Sequence, residues 1–170
     1  LIKEVINIIK SGLGKIMIYH HQVQTSGILL IQAALSENGI IDEYSPTTDN
    51  TLCSICGLTR LLHAATKASA SAIKTHDFVA ARYVSAHGGI EKHDMNASIA
   101  KYNSLDNIDG IQYRLLVGSR IIKEGYNFIA IRYQLIMSMP TNFPTLIQVT
   151  GRSVRKGSHL EFLEDQRFVN

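Results

Sequence analysis

Residues 15–20, Lys-Ile-Met-Ile-Tyr-His, restrict the fold of this chain more than any others. A strand with one wet face alternates apolar and polar side chains, and this run does not alternate. Its side chains need cover on both faces, the condition of a strand inside a parallel sheet flanked by helices. The flanking sequence agrees. Residues 1–11 set Ile2, Val5, Ile6 and Ile9 on one helical face and end at Gly12 and Gly14. A second helical stretch, 28–38, follows Gln24-Thr25-Ser26-Gly27 and closes at Gly39. Strand-like runs recur at 78–86, 113–118 and 131–138. Helical stretches fall at 58–74, at 90–103 and after Pro140 to Pro144. This alternation specifies βαβ units, so the expected fold is α/β in three layers, a mostly parallel central sheet with helices on both faces. Residues 40–57, with Pro46 and Asp49-Asn50, read as a polar irregular loop, and residues 40–75 or so as an insertion.

In such sheets ligands bind beyond the carboxyl ends of the strands, and His87, Ser119 and Met139 fall just past three of them. With 170 residues, 45% of them apolar and 18% charged, the chain suits one well-filled domain, residues 1–170. A net charge of +3 is too small to argue for nucleic acid by itself. No apolar run approaches the ~18 residues of a membrane span, so no membrane partner is expected. The chain starts at Leu1 with helical pattern at once and shows no signal segment, so it reads as a domain of a longer, intracellular protein in a reducing compartment.

Ser11-Gly12-Leu13-Gly14-Lys15 imitates a phosphate loop. A working loop follows a strand, places Ser or Thr after the Lys and opens a helix. Here the pair follows a helix, precedes Ile16 and opens a strand, so it reads as a helix-to-strand turn. Cys53-Ser-Ile-Cys56-Gly57 has the form of half a zinc site. Only His63 and, further on, His76 lie near enough in sequence to complete it, so two free loop thiols are the expectation and zinc is not. The seven histidines include no evident partner for a Ser or Cys nucleophile.

Two stretches carry functional chemistry. In Ser119 to Asn127 a hydroxyl residue stands at a strand end, followed six residues later by Gly125-Tyr126-Asn127. A strand-end Ser suits a backbone phosphate, and Gly125 allows Asn127 a close approach; a plain strand–turn–strand with a Gly bulge is the alternative. In Gln148-Val-Thr-Gly151-Arg152-Ser-Val-Arg155, the two arginines share a helical face with Gln148 one turn earlier. The guanidinium fork suits phosphate oxygens, although a basic helix end favoured by the dipole has the same pattern.

Taken together these segments resemble the second RecA-like domain of superfamily 2 helicases. Ser119 to Asn127 is similar to motif V, Gln148-x-x-Gly151-Arg152-x-x-Arg155 to motif VI, His87-Gly88-Gly89 to motif IVa, and residues 15–20 with Ser26-Gly27 to motif IV. A narrower resemblance rests on Ser26-Gly27-Ile28, the Cys-x-x-Cys-Gly insertion, Ala80-Ala81-Arg82-Tyr83 and residues 148–156 with His159. It points to helicases of large DNA viruses, of the poxvirus early transcription factor small subunit and nucleoside triphosphate phosphohydrolase I type.

The resemblance implies that Arg152 and Arg155 act as arginine fingers on ATP and that Gln148 couples nucleotide to nucleic acid. It sets Gly125, Asn127, Glu124 and Gly151 beside the nucleotide, and Ser119, Gly88, Gly89 and His87 on the nucleic-acid backbone. The family's usual acid is Asn127 here, which keeps hydrogen bonds to a ribose and lacks the charge. ATP and Mg2+ would be held mainly by a first RecA-like domain of the same chain. DNA and viral transcription machinery are the implied partners, and virion and host cytoplasm the implied locations. A RecA-like docking or nucleic-acid-clamping module without catalysis is the alternative function.

Overall fold

The computed structural model describes residues 1–68, 76–123, 126–140 and 142–151. In chain order these form α1 (Ile2–Ser11), β1 (Lys15–Tyr19), α2 (Ile28–Glu37), β2 (Ile41–Asp42), α3 (Arg60–Ala68), β3 (Arg82–Ala86), α4 (Lys92–Asn103), β4 (Leu115–Gly118), β5 (Ile131–Ile136) and α5 (Phe143–Thr150). The strands make one sheet in the order β2-β3-β4-β1-β5, every pairing parallel.

The unalternating run at 15–20 becomes a central strand with all five residues buried. Its side chains divide between two cores with the period of two that a strand imposes. Ile16 and Ile18 join Leu115, Val117 and Tyr83 under α1 and α2, which contribute Val5, Ile9, Ile28 and Leu35. Met17 joins Val84 and Leu116 on the other face, under Met95, Ile99 and Tyr102 of α4. Two apolar layers back to back across one sheet are the three-layer α/β architecture that the alternation specified.

Polar side chains inside this frame are held by the backbone. Lys15 is fully buried, and its ammonium donates to the carbonyls of Tyr102 at 2.6 Å and Ile129 at 3.3 Å. Burial lowers its pKa to about 8, with Asp109 acting in the opposite sense. A lysine used in this way has no reach to a phosphate, and Gly14-Lys15 is the helix-to-strand turn that its context indicated. Arg114, also fully buried, donates to the carbonyl of Gly12 just past the end of α1, which suits the unpaired acceptors there. Asn107 makes four bonds to the main chain, donating to Tyr102 and Tyr113 and accepting from Gln112 and Tyr113.

Two expectations change. Residues 40–57 are not wholly irregular, because Ile41 and Asp42 form the edge strand β2 against Arg82 and Tyr83. The run 78–86 is a sheet strand only from Arg82, because Ala80 bridges antiparallel to Cys53 and the Ala81 amide donates to the Leu52 carbonyl. The expected helix at 58–74 is seen as α3, and residues 69–75 lie outside the described residues.

Candidate functional site

The strand order puts β3, β4 and β1 side by side, so the three loops leaving their carboxyl ends are neighbours. Residues 20–25 follow β1, His87 to Gly89 follow β3, and a 3-10 turn, Arg120–Lys123, follows Ser119 at the end of β4. Between them lies a groove of about 630 Å³, to which Gln22 and Thr25, Gly88 and Gly89, and Ser119 and Arg120 all contribute.

Each wall is fixed locally. The Ser119 amide donates to the Ala86 carbonyl at 2.9 Å, and the Ser119 carbonyl accepts from Ile122 at 3.0 Å, which ties the turn to the sheet. Ser119 is almost buried in the groove floor and Arg120 is exposed at its rim. His87 Nδ1 accepts from the Gly89 amide at 3.2 Å, and burial lowers the pKa of this imidazole. The ring therefore stays neutral at pH 7 and shapes the turn without adding charge. A methyl placed on Gly88 would meet only Ile121, at 3.7 Å, so this backbone is open to a ligand.

The first loop is tightly wound. Gly27 and Ile28 donate to the carbonyls of Gln24 and Gln22 at 3.0 and 3.1 Å. Thr25 holds a left-handed φ of 58°, a strain that local over-determination sustains at ligand-facing loops. His20 and His21 stack at 5.1 Å beside the loop, and the His21 amide donates to Ser138 Oγ past β5. Burial raises the pKa of Tyr19, at the end of β1, while the Arg120 cation opposes the shift. Among the described residues the groove thus offers one exposed arginine, side-chain amides and hydroxyls, and open glycine backbone, with no carboxylate in its lining.

The remaining candidates lie elsewhere. Helix α5 begins with Asn142 accepting the Thr145 amide at 2.9 Å, and it packs on the 3-10 turn after Ser119. Gln134 Nε2 fastens it to β5 through the Val149 carbonyl at 3.0 Å. Gln148 is exposed on α5 and Gly151 is half-buried at its end. Arg152, Arg155, Glu124 and Gly125 lie outside the described residues, as does His159. Asn127 is away from the groove, its carbonyl accepting from Asn103 at the last residue of α4. Arg120 and residues 21–25 were not among the expected site residues, and only the strand order reveals that they share a wall with Ser119.

The expectation for the cysteines changes most. His63 and His76 come to Cys53 and Cys56, and the four donor atoms all lie within 4.8 Å of one another. Burial raises the pKa of the Cys53 thiol, but the backbone of Val79, Cys56 and Ile55 and the His76 ring outweigh it and hold the thiol at about 7.

Residues 51–157 match the helicase conserved C-terminal domain, and the chain belongs to that family. It is 43% identical over 169 residues to the early transcription factor large subunit homolog of African swine fever virus, which covers 99% of this chain and 14% of that protein. It is 35% identical over 72 residues to nucleoside triphosphatase I of Heliothis armigera entomopoxvirus, covering 42% of this chain and 11% of that one. The early transcription factor 70 kDa subunit of variola virus is 38% identical over 63 residues, 37% of this chain and 10% of that protein. The family expected from motifs IV to VI and the viral type expected from the narrower resemblance are those found. The chain spans 14% of the length of the African swine fever virus relative, and no described helix is long and apolar enough to cross a membrane.

Proposed function

We propose that this chain is the second RecA-like half of an ATP-driven DNA helicase or translocase of a large DNA virus, working in transcription or genome handling. The observation that carries the reading is the groove, in which three loops with separate places in the sequence meet at one sheet edge. Phosphates are held by arginine, hydroxyls and main-chain amides, and those are the groups assembled there. Gly88 and Gly89 let a strand approach the backbone, Ser119 and Arg120 bind its phosphates, and His87 sets the turn through Gly89. Such contacts read no bases, so binding is sequence-independent and salt-sensitive.

On the nucleotide side, Gln148 is exposed and Gly151 is half-buried at the end of α5, so neither is committed to the core. Both are available to a nucleotide held, with Mg2+, by a first RecA-like domain of the same protein. Arg152 and Arg155 follow directly and would reach the γ-phosphate across the cleft, where ATP supplies the free energy for movement. Glu124, Gly125 and Asn127 are assigned to the same nucleotide network. Helix α5 packs on the turn after Ser119, which gives a mechanical route from the nucleotide side to the groove.

The test is nucleic-acid-stimulated ATPase of the full-length protein, with DNA and RNA compared. Arg155→Ala is expected to reduce turnover by roughly 10³-fold or more while DNA binding persists. Arg120→Ala is expected to keep basal turnover, weaken DNA binding roughly tenfold and flatten its salt dependence by about one phosphate contact. Wild-type turnover in Arg155→Ala removes the arginine-finger assignment. A full-length protein without ATPase on any nucleic acid establishes the docking module instead.

A further inference from the structure

We propose that Cys53, Cys56, His63 and His76 form a structural zinc site that staples the Cys53–Cys56 turn and helix α3 to residues 76–80 beside β3. The inference stands on geometry alone and is independent of the helicase reading.

Tetrahedral zinc with bonds of about 2.0 Å to nitrogen and 2.3 Å to sulfur sets its ligand atoms about 3.3 Å apart for two nitrogens and about 3.5 Å for nitrogen and sulfur. Here His63 Nε2 stands 3.2 Å from His76 Nε2, and Cys53 Sγ stands 3.3 Å from His76 Nε2. All four donor atoms fall within 4.8 Å of one another. Two thiols and two imidazoles are the donor set of tetrahedral zinc, whereas calcium and magnesium require oxygen ligands.

Each donor is delivered by backbone that is already fixed. Gly57 follows the pair with φ +69° and its amide donates to the Cys53 carbonyl at 2.9 Å, closing the Cys-x-x-Cys turn. The Cys53 amide donates to Leu58 at 2.7 Å and that of Ser54 to Val79 at 2.7 Å, which draws residues 76–80 alongside. Helix α3 brings His63 inward, where its ring meets Phe78 edge-on at 5.6 Å. Cys53 is fully buried and His63 nearly so. A plain hydrogen-bonded cluster accounts less well for this arrangement: two imidazole nitrogens facing at 3.2 Å share one proton between them. A metal uses all four groups. Four protein ligands leave no open position, so the site is structural rather than catalytic.

The test is the metal content of the full-length protein, purified without chelator after growth with zinc. Wild type is expected to carry one zinc per chain more than Cys53→Ser or Cys56→Ser, and His76→Cys, which keeps four donors, is expected to retain it. Equal zinc in wild type and both serine variants overturns the proposal. Should the serine variants fail to fold, Co2+ replaces zinc in the folded proteins. The thiolate-to-cobalt absorption is then expected to rise by about half in His76→Cys, from two thiolates to three. Identical cobalt spectra in wild type and His76→Cys, or a Cys53–Cys56 disulfide in the purified protein, also overturn it.

Discussion

A single methyl group added to Gly27 tests how the groove is built. On this backbone an alanine Cβ would lie 2.2 Å from the Gln22 carbonyl oxygen and 2.6 Å from its carbon. Ordinary contact needs about 3.5 Å, so something must move by more than an ångström. The obstacle is main chain, and it is bonded: Gln22 O accepts from Ile28 at 3.1 Å, and the neighbouring Val23 O accepts from Leu29 at 3.0 Å. Displacing Gln22 loses at least one of these bonds, about 1 kcal/mol, and adds an overpacking cost of about 1–2 kcal/mol. Gly27→Ala is therefore expected to destabilise the domain by about 2–3 kcal/mol, or roughly 5–10 °C in Tm at this size. Denaturant unfolding of the chain measures the loss, and hydrogen exchange should place it at residues 22–31. Gly88→Ala is the control, because its methyl meets only Ile121 at 3.7 Å and should change stability by less than about 0.5 kcal/mol. The reasoning fails if Gly27→Ala unfolds with wild-type stability, or if Gly88→Ala is equally damaging.

Two further perturbations address buried polar groups. The Lys15 pKa falls from 10.5 to about 8 on folding, so between those values the unfolded chain holds more protons and stability rises with pH. The rise amounts to about 3 kcal/mol across that window, and Lys15→Met should abolish it when urea midpoints are compared at pH 8 and pH 10; an unchanged slope would contradict the burial cost. Asn107→Asp sets an acceptor against the Tyr102 and Tyr113 carbonyls that now receive donors at 3.1 Å. The loss is expected to be about 3 kcal/mol at pH 7, partly recovered at pH 5 because the carboxyl pKa would be raised in the folded state; a loss below 1 kcal/mol at pH 7 would refute the role assigned to Asn107.

The central sheet was legible because both its faces are covered. Runs such as 16–19 and 115–118 show no alternation with polar side chains, and such runs fit few places other than a strand covered on both faces. Edge strand β2 was not legible. It is two residues long and runs into Glu43, Tyr44 and Ser45, so no periodicity marks it. The lower part of 78–86 reads as strand from its residues alone, and only the approach of Leu52 and Cys53 shows that it pairs outside the main sheet. For the groove, Ser119 and the His87–Gly89 turn could be named from strand ends, whereas Arg120 and Gln22 depend on which strands are neighbours. Sequence spacing also concealed the Cys–His quartet. His63 and His76 stand at intervals typical of no metal motif, and α3 with the Cys53–Ala80 bridge brings them together.

The central position of β1 also governs the order in which the molecule is completed. Ile16 pairs with Leu115 and with Tyr133, about a hundred residues further along the chain. At ordinary rates of synthesis, about 5–20 residues per second, the first of those partners emerges roughly 5–20 s after β1. During that interval Ile16, Met17 and Ile18 have no strand on either side, and an unpaired apolar strand invites association between nascent chains. Residues 53–76 are complete long before β4 exists, so the Cys–His segment is available early, when the centre of the sheet is not. Conditions that slow elongation between residues 20 and 115 should therefore lower the soluble yield more than conditions that slow it after residue 136.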